Sequence, residues 1–218
     1  MRLCLLGFGG AVGLAACEPQ EPPPDAFRRT GELIALSGGD GGARKACFTC
    51  HGLEGQGDGQ ASPRLANLDA AWMQRQLDDY ASGRRPDPVM GPIAKHLTAE
   101  DRRAVSAWYA ALPLPPVSTA RSSPVGARLY HQGDAKRGLQ PCAACHGDAG
   151  EGRGPANPPL AGQPPAYIAE QLNRWAKARR RNDPRDVMLH ISRALTPAET
   201  DAVSAYATAP SARPLPTP

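Results

Sequence analysis

The larger side chains of this sequence recur at helical spacing. The segment from 69 to 82 places Trp72, Gln76-Leu77 and Tyr80 at intervals typical of one helical face. A segment from about 165 to 180 repeats the arrangement. Runs that alternate apolar and polar residues, which would indicate half-buried strands, are absent from the sequence. The pattern therefore predicts an all-α fold.

Two further helix starts can be located by their capping residues. Thr98 is followed three positions later by Asp101, and Thr196 by Glu199. In each pair the threonine hydroxyl can accept a hydrogen bond from a free backbone amide of the first turn, and the acid can accept one from the backbone amide of the threonine. Pro197 occupies a first-turn position, where proline is tolerated. Glycine-rich stretches at 52–60 and 147–154 predict loops.

The sequence matches itself when it is shifted by 95 residues. Trp72 then falls on Tyr167, and after a three-residue insertion the offset becomes 98, so that Thr98 falls on Thr196. A repeat of this length indicates a duplicated domain. The predicted units are a first domain at 31–112, a linker rich in proline and serine at 113–124, a second domain at 125–208 and a disordered tail at 209–218.

An export signal precedes the repeat. Residues 1–16 begin with Met1-Arg2 and continue in an apolar run too short to span a bilayer, which is typical of a signal peptide. The stretch LAAC, ending at Cys17, resembles a bacterial lipobox, whose cysteine becomes the lipidated first residue. The alternative is an ordinary exported protein in which Cys17 is incidental.

Proline is frequent in the segment that follows, residues 17–30, which predicts an extended tether. Together with the lipobox, this segment predicts a periplasmic protein anchored to a membrane through lipidated Cys17.

Composition narrows the possible functions. The formal net charge is only +4, from 25 Lys and Arg against 21 Asp and Glu, which gives no argument for nucleic-acid binding. Aromatic residues make up 5% of the chain, a thin supply for two small cores, so a bound group is expected to fill part of each. Of six cysteines, Cys4 lies in the signal and Cys17 directly follows it, and the others form two Cys-x-x-Cys pairs. No cysteine is left for a disulfide framework.

The chemistry of the chain is concentrated in ACFTCHG and its repeat PCAACHG. On a helix, Cys47, Cys50 and His51 project to the same side, so two thiols and an imidazole can face one ligand. The thiols can add to the two vinyl groups of a haem while the imidazole binds the iron, and this spacing is the attachment signature of c-type haem. The corresponding residues of the second copy are Cys142, Cys145 and His146. The sequence predicts two covalently bound haem c groups.

Two other uses of Cys-x-x-Cys are disfavoured. A thioredoxin-like dithiol requires a βαβ context, which the helical pattern does not supply. Structural zinc requires two cysteine pairs that share one ion, or a histidine pair at zinc-finger spacing. Here the pairs lie 95 residues apart, and each is followed by its own histidine.

The repeat also selects the second axial ligand of each iron. Met90 and Met188 align with each other, whereas Met73 aligns with Ile168 and is interpreted as a core side chain. A thioether ligand favours ferrous iron and raises the reduction potential. His190, two residues beyond Met188, is the alternative ligand in the second domain.

The segments CAACHG, PPLAGQPPAYIAEQLNRW, VMLHI and LTPAETDAVSAY resemble cytochrome c4, a tandem two-haem protein of class I cytochrome c domains. The resemblance covers residues 40–208. It implies two small helical domains, each around one haem, and an electron-transfer protein rather than an enzyme. Expected redox partners are a terminal oxidase or a quinol-oxidising complex. The first copy departs from the pattern, with Asn67-Leu68 where the second has Gly162-Gln163.

Two other functions remain as alternatives. The chain can be a cytochrome subunit fixed to a dehydrogenase or oxidase, with the same electron chemistry. A two-haem peroxidase is the second alternative, and it would require one iron with a displaceable sixth ligand, against which the aligned Met90 and Met188 argue.

Several side chains recur at equivalent positions in the two copies, and more than one role is possible for each. Gln76 and Gln171 either bond a haem propionate or lie partly exposed. The basic run from 177 to 181 either faces a helix dipole or pairs with propionates or an acidic partner. The aromatic side chains in register either pack on haem edges or belong to the ordinary helix core, which is the preferred interpretation: Trp72, Tyr80, Tyr167 and Trp175.

Overall fold

The computed structural model describes residues 30–116 and 123–208. The predicted signal peptide, Cys17, nearly all of the tether, the middle of the linker and the tail lie outside these ranges. Within them, strand pairing is limited to two isolated bridges, Asp134 with Leu139 and Arg153 with Asn157. The predicted all-α fold is confirmed.

Each domain contains five α-helices in the same order. The first has α1 (Gly31–Ser37), α2 (Phe48–His51), α3 (Ala70–Ser82), α4 (Met90–Lys95) and α5 (Ala99–Ala111). The second has α6 (Pro124–Gln132), α7 (Ala143–His146), α8 (Pro165–Ala176), α9 (Val187–Arg193) and α10 (Pro197–Ala207). In the first domain α5 packs on α1 and α3; in the second, α10 packs on α6 and α8.

The helix starts are set by the predicted caps. Thr98 and Asp101 form a complete capping box at α5, and Thr196 and Glu199 form another at α10. The side chain of Asp69 accepts from the amide of Trp72 and starts α3. Because these caps satisfy the free amides of the first turn, the helices begin at the same register in both domains.

One glycine in each domain allows the first helix to cross the last. A Cβ on Gly31 would lie 2.2 Å from the carbonyl oxygen of Ala104, and one on Gly126 would lie 2.2 Å from that of Ala202. No side chain fits at this distance, so glycine is required for the crossing. The close crossing brings Ile34 against Val105 and Tyr109 in the first core.

Helix α8 is shorter than the sequence indicates. It ends at Ala176, because Ala178 adopts the left-handed conformation (φ 53°) and the amides of Arg179 and Arg180 turn back to the carbonyl of Arg174. The prediction of a helix to residue 180 was wrong by one turn. The turn carries Arg180 inward, where it is buried.

The two domains contact each other through reciprocal polar pairs. The amide of Arg64 donates to Oε1 of Gln163 at 3.0 Å, and Nε2 of Gln163 donates to the carbonyl of Arg64 at 3.0 Å. Leu68, which aligns with Gln163, is a buried core residue instead. The two copies therefore differ at this position because Gln163 forms the polar contact to the first domain, whereas Leu68 packs in a core.

Candidate functional site

Each cysteine pair lies on a single helical turn. Cys47 precedes α2, and His51 is its last residue. Gly52 follows with φ 79°, which ends the turn immediately after the histidine. In the second domain α7 has the same form, with Cys142, Cys145, His146 and Gly147 in these roles. The short helix places both sulfurs and the imidazole of each domain side by side.

A proline carbonyl orients each histidine. Nδ1 of His51 lies 2.8 Å from the carbonyl oxygen of Pro63, and Nδ1 of His146 lies 2.8 Å from that of Pro158. A carbonyl can only accept, so Nδ1 carries the proton and Nε2 keeps a free lone pair. Burial lowers the pKa of both histidines, which favours the neutral ligand form.

The first cysteine of each motif lacks the character of an activated redox thiol. All four cysteines of the two motifs are free. Burial raises the pKa of Cys47 and of Cys142 to about 11, whereas an active dithiol requires a depressed thiol pKa. The part of the chain that the structure describes contains no group of three or more His, Cys, Asp and Glu placed to hold a metal ion.

A cavity of about 360 Å³ in the second domain brings together the four predicted site residues of that domain. Its lining includes Cys142, Cys145, His146 and Met188. The rest of the wall is largely apolar, with Ile168, Leu172, Ile191, Leu195 and Val203. His190 is exposed and does not belong to this lining. The geometry therefore favours Met188 over His190 as the group that faces the histidine.

Aspartate side chains fix the backbone at both methionines. Met90 is the first residue of α4, and its amide donates to Oδ1 of Asp87 at 2.8 Å. The amide of Met188 donates to Oδ2 of Asp183 at 2.7 Å. Met73 is instead a buried residue of the first core.

The first domain completes the wall of the second cavity. Trp72, Arg75 and Gln76 from α3 line it together with Tyr167 and Trp175 of the second domain. Interpreting these aromatic residues as helix core alone was therefore incomplete. A group bound in this cavity contacts both domains.

Sequence reasoning did not find the carbonyl acceptors, Pro63 and Pro158, because a backbone atom leaves no residue signature. It included Arg180 in a basic run that could pair with propionates, but it predicted neither the burial of Arg180 nor a role for Arg85, although the two occupy equivalent positions in the repeat. The recurrence of an arginine at the same position of both copies was the signal in the sequence that could have indicated a shared role.

Comparison with known proteins identifies the family. Residues 41–112 and residues 126–207 each match the family model described as cytochrome c. The chain belongs to the cytochrome c family. The two matches cover both cysteine motifs and both axial candidates.

Three similar proteins have related names. A "thiosulfate dehydrogenase electron acceptor" from Stutzerimonas stutzeri is 45% identical over 181 residues, which cover 81% of this chain and 84% of that protein. Reduced cytochrome c4 from Pseudomonas stutzeri superposes with a TM-score of 0.72 at 25% identity, covering 83% of this chain and 97% of that one. A thiosulfate dehydrogenase (TsdBA) from Marichromatium purpuratum superposes with a TM-score of 0.72 at 38% identity. This chain matches over 83% of its own length but spans only 40% of that enzyme chain.

These results establish a dihaem electron-transfer protein of cytochrome c4 type, with two covalently bound haem c groups. The donor set fits this cofactor, because each domain offers two free thiols and a neutral imidazole oriented through Nδ1. When bound, haem supplies a one-electron couple between ferric and ferrous iron. None of the described helices is long and apolar enough to cross a membrane.

Proposed function

We propose that this protein accepts electrons from a thiosulfate-oxidising dehydrogenase and passes them singly toward a terminal oxidase. The observation that carries the proposal is the 45% identity, over most of both chains, to a protein named thiosulfate dehydrogenase electron acceptor. A cytochrome c4 and a thiosulfate dehydrogenase that share the fold support the same assignment.

His51 with Met90, and His146 with Met188, are the proposed axial pairs. Support comes from the lone pair left on Nε2 of each histidine and from the placement of Met188 in the second cavity. Two strong axial ligands leave no position open for oxygen or substrate. The protein then acts by holding each haem, setting its potential and excluding other reactions.

Electron acceptance can be tested directly with the holoprotein. The ferric protein is mixed with a thiosulfate dehydrogenase and thiosulfate, and the absorption bands of ferrous haem are followed. We expect both haems to be reduced, at a rate proportional to the dehydrogenase concentration. Control mixtures lack either the dehydrogenase or thiosulfate. Reduction that is no faster with the dehydrogenase than without it would contradict the proposal.

A lasting complex with the dehydrogenase is a second candidate. It is favoured by the TsdBA chain, in which a region similar to this protein occupies 40% of a thiosulfate dehydrogenase. Size-exclusion chromatography of the two proteins together distinguishes the cases. A fixed subunit elutes with the dehydrogenase at nanomolar concentrations, whereas a mobile carrier separates from it.

We further propose that the protein is exported and tethered to a membrane through lipidated Cys17, as the LAAC stretch suggests. Replacing Cys17 by serine removes the thiol that carries the lipid, so the holoprotein should move from the membrane fraction to the soluble periplasmic fraction. Haem content and absorption spectrum should not change, because Cys17 lies outside both domains. Equal membrane association of the variant and the natural protein would exclude this anchor.

A further inference from the structure

Two buried arginines meet at the domain interface. Arg85 and Arg180 are 2% and 5% exposed, and they occupy equivalent positions in the repeat. Nη1 of Arg85 donates to Oε1 of Gln76 at 3.0 Å, and its Nη2 donates to Oε1 of Gln171 at 2.8 Å. Arg180 donates to the same two oxygens, at 2.8 Å to Gln171 and 3.1 Å to Gln76. We call these two residues the arginine pair; each member bonds to both domains.

Aromatic rings hold both guanidinium groups in place. Arg85 lies over the ring of Tyr80, 4.5 Å from its centroid, and Arg180 lies over that of Trp175 at 3.9 Å. Nη2 of Arg85 also donates to the hydroxyl of Tyr167 at 3.0 Å. Nε of Arg180 donates to Oδ1 of Asn182 at 2.9 Å. The hydrogen-bond acceptors of both arginine side chains are therefore neutral groups.

The acids around the pair bond to other groups. Asp183, whose charge acts on Arg180, accepts from the amide of Met188. Asp79 pairs with Arg84 at 2.9 Å, and Asp87 pairs with Arg174 at 2.8 Å. In the described ranges neither arginine of the pair takes part in an ion pair within 4.0 Å, and Nε of Arg85 has no hydrogen-bond partner. Two like charges buried without an anion are costly, so this arrangement calls for a negatively charged ligand.

The cavity of the second domain reaches one member of the arginine pair, Arg180. Arg180, Gln76 and Gln171 line the same cavity as Cys142 and His146. A haem carries two propionate carboxylates, and a planar guanidinium binds a carboxylate through two parallel hydrogen bonds. Arg85 lies outside that lining, but it occupies the equivalent position in the repeat and bonds to the same two glutamine oxygens, so we extend the same role to it in the first domain.

We infer that Arg85 and Arg180 form one anion site, shared between the domains, that binds propionates of both haems. Each domain then stabilises the haem of the other as well as its own. Removing either cation leaves propionate charge uncompensated, and this negative charge stabilises ferric over ferrous iron. Both reduction potentials should therefore fall when either arginine is neutralised, including that of the haem in the unmodified domain.

The test is a redox titration of the dihaem protein with Arg85→Gln or Arg180→Gln. Each haem is followed separately through its haem-methyl proton signals in the ferric form. At fixed ambient potential we expect the ferrous-to-ferric ratio of both haems to fall by about tenfold, which is about 59 mV for a one-electron couple. Arg179→Gln is the control: it removes the same charge one residue away, at an exposed position.

Unchanged potentials in both glutamine variants, relative to Arg179→Gln, would overturn the inference, and so would a shift confined to the substituted domain. A role limited to holding the domains together predicts lower thermal stability with unaltered potentials. If the glutamine variants do not load both haems, the same redox titration of Arg85→Lys and Arg180→Lys tests the shared site. Lysine keeps the charge but not the two-pronged contact, so a smaller fall of both potentials supports the shared site and no fall rejects it.

Discussion

Replacing Met188 by alanine should lower the potential of the second-domain haem by on the order of 100 mV, because axial ligands are a main determinant of haem potential and a thioether favours ferrous iron. Met188 lines the same cavity as His146, and no other methionine of the described residues does. The variant should also lose the contribution of the second-domain haem to the weak red charge-transfer band of the ferric protein. An optical redox titration measures both quantities.

His190→Ala is the matched control for this substitution. His190 lies on the same helix but is exposed and away from the cavity, so its loss should leave both potentials and the red band unchanged. The opposite result, a normal potential without Met188 and a lowered one without His190, would assign the ligand to the histidine. Met90→Ala should reproduce the Met188 effect in the first domain.

The chemistry of this protein could be predicted largely from spacing. Two copies of Cys-x-x-Cys-His in register determine the cofactor, and the capping residues Thr98 and Thr196 determine where the last helix of each domain begins. These features are local: the atoms that matter belong to residues a few positions apart. Local rules of helix geometry were therefore sufficient for them.

Contacts between distant segments could not be predicted in this way. The carbonyls of Pro63 and Pro158 reach their histidines only because the glycine-rich loops return to the site. The end of α8 depends on a left-handed alanine, Ala178, for which a sequence gives no warning. That single backbone conformation buries Arg180, which the sequence left with two possible roles in the basic run 177–181.

The glutamines show how a domain interface can change the meaning of a repeated residue. Gln76 and Gln171 are buried, and the side-chain oxygen of each accepts from both arginines. The sequence alone left a choice between a propionate ligand and a surface residue. In the structure the surface alternative is wrong, because both glutamines are buried, and each accepts a hydrogen bond from an arginine of the other domain. Each glutamine positions the cations that we assign to the propionates.

The largest effect is expected when Cys142 and Cys145 are both replaced by alanine. Without thioether bonds the second haem is held only by its axial ligands and packing, and a cavity of about 360 Å³ stands open whenever it leaves. Loss of the haem exposes the apolar wall of this cavity to water, and the hydrophobic stabilisation lost with it is large relative to the total stability of a small domain. We therefore expect the second domain to unfold while the first keeps its haem.

Mass spectrometry should find one haem instead of two, and circular dichroism should show close to half of the helical signal lost. Cys17→Ser, which removes a cysteine outside both domains, is the control and should retain two haems. A double variant with one haem and full helical content would show that the polypeptide alone maintains the second fold, and would refute this account of its stability.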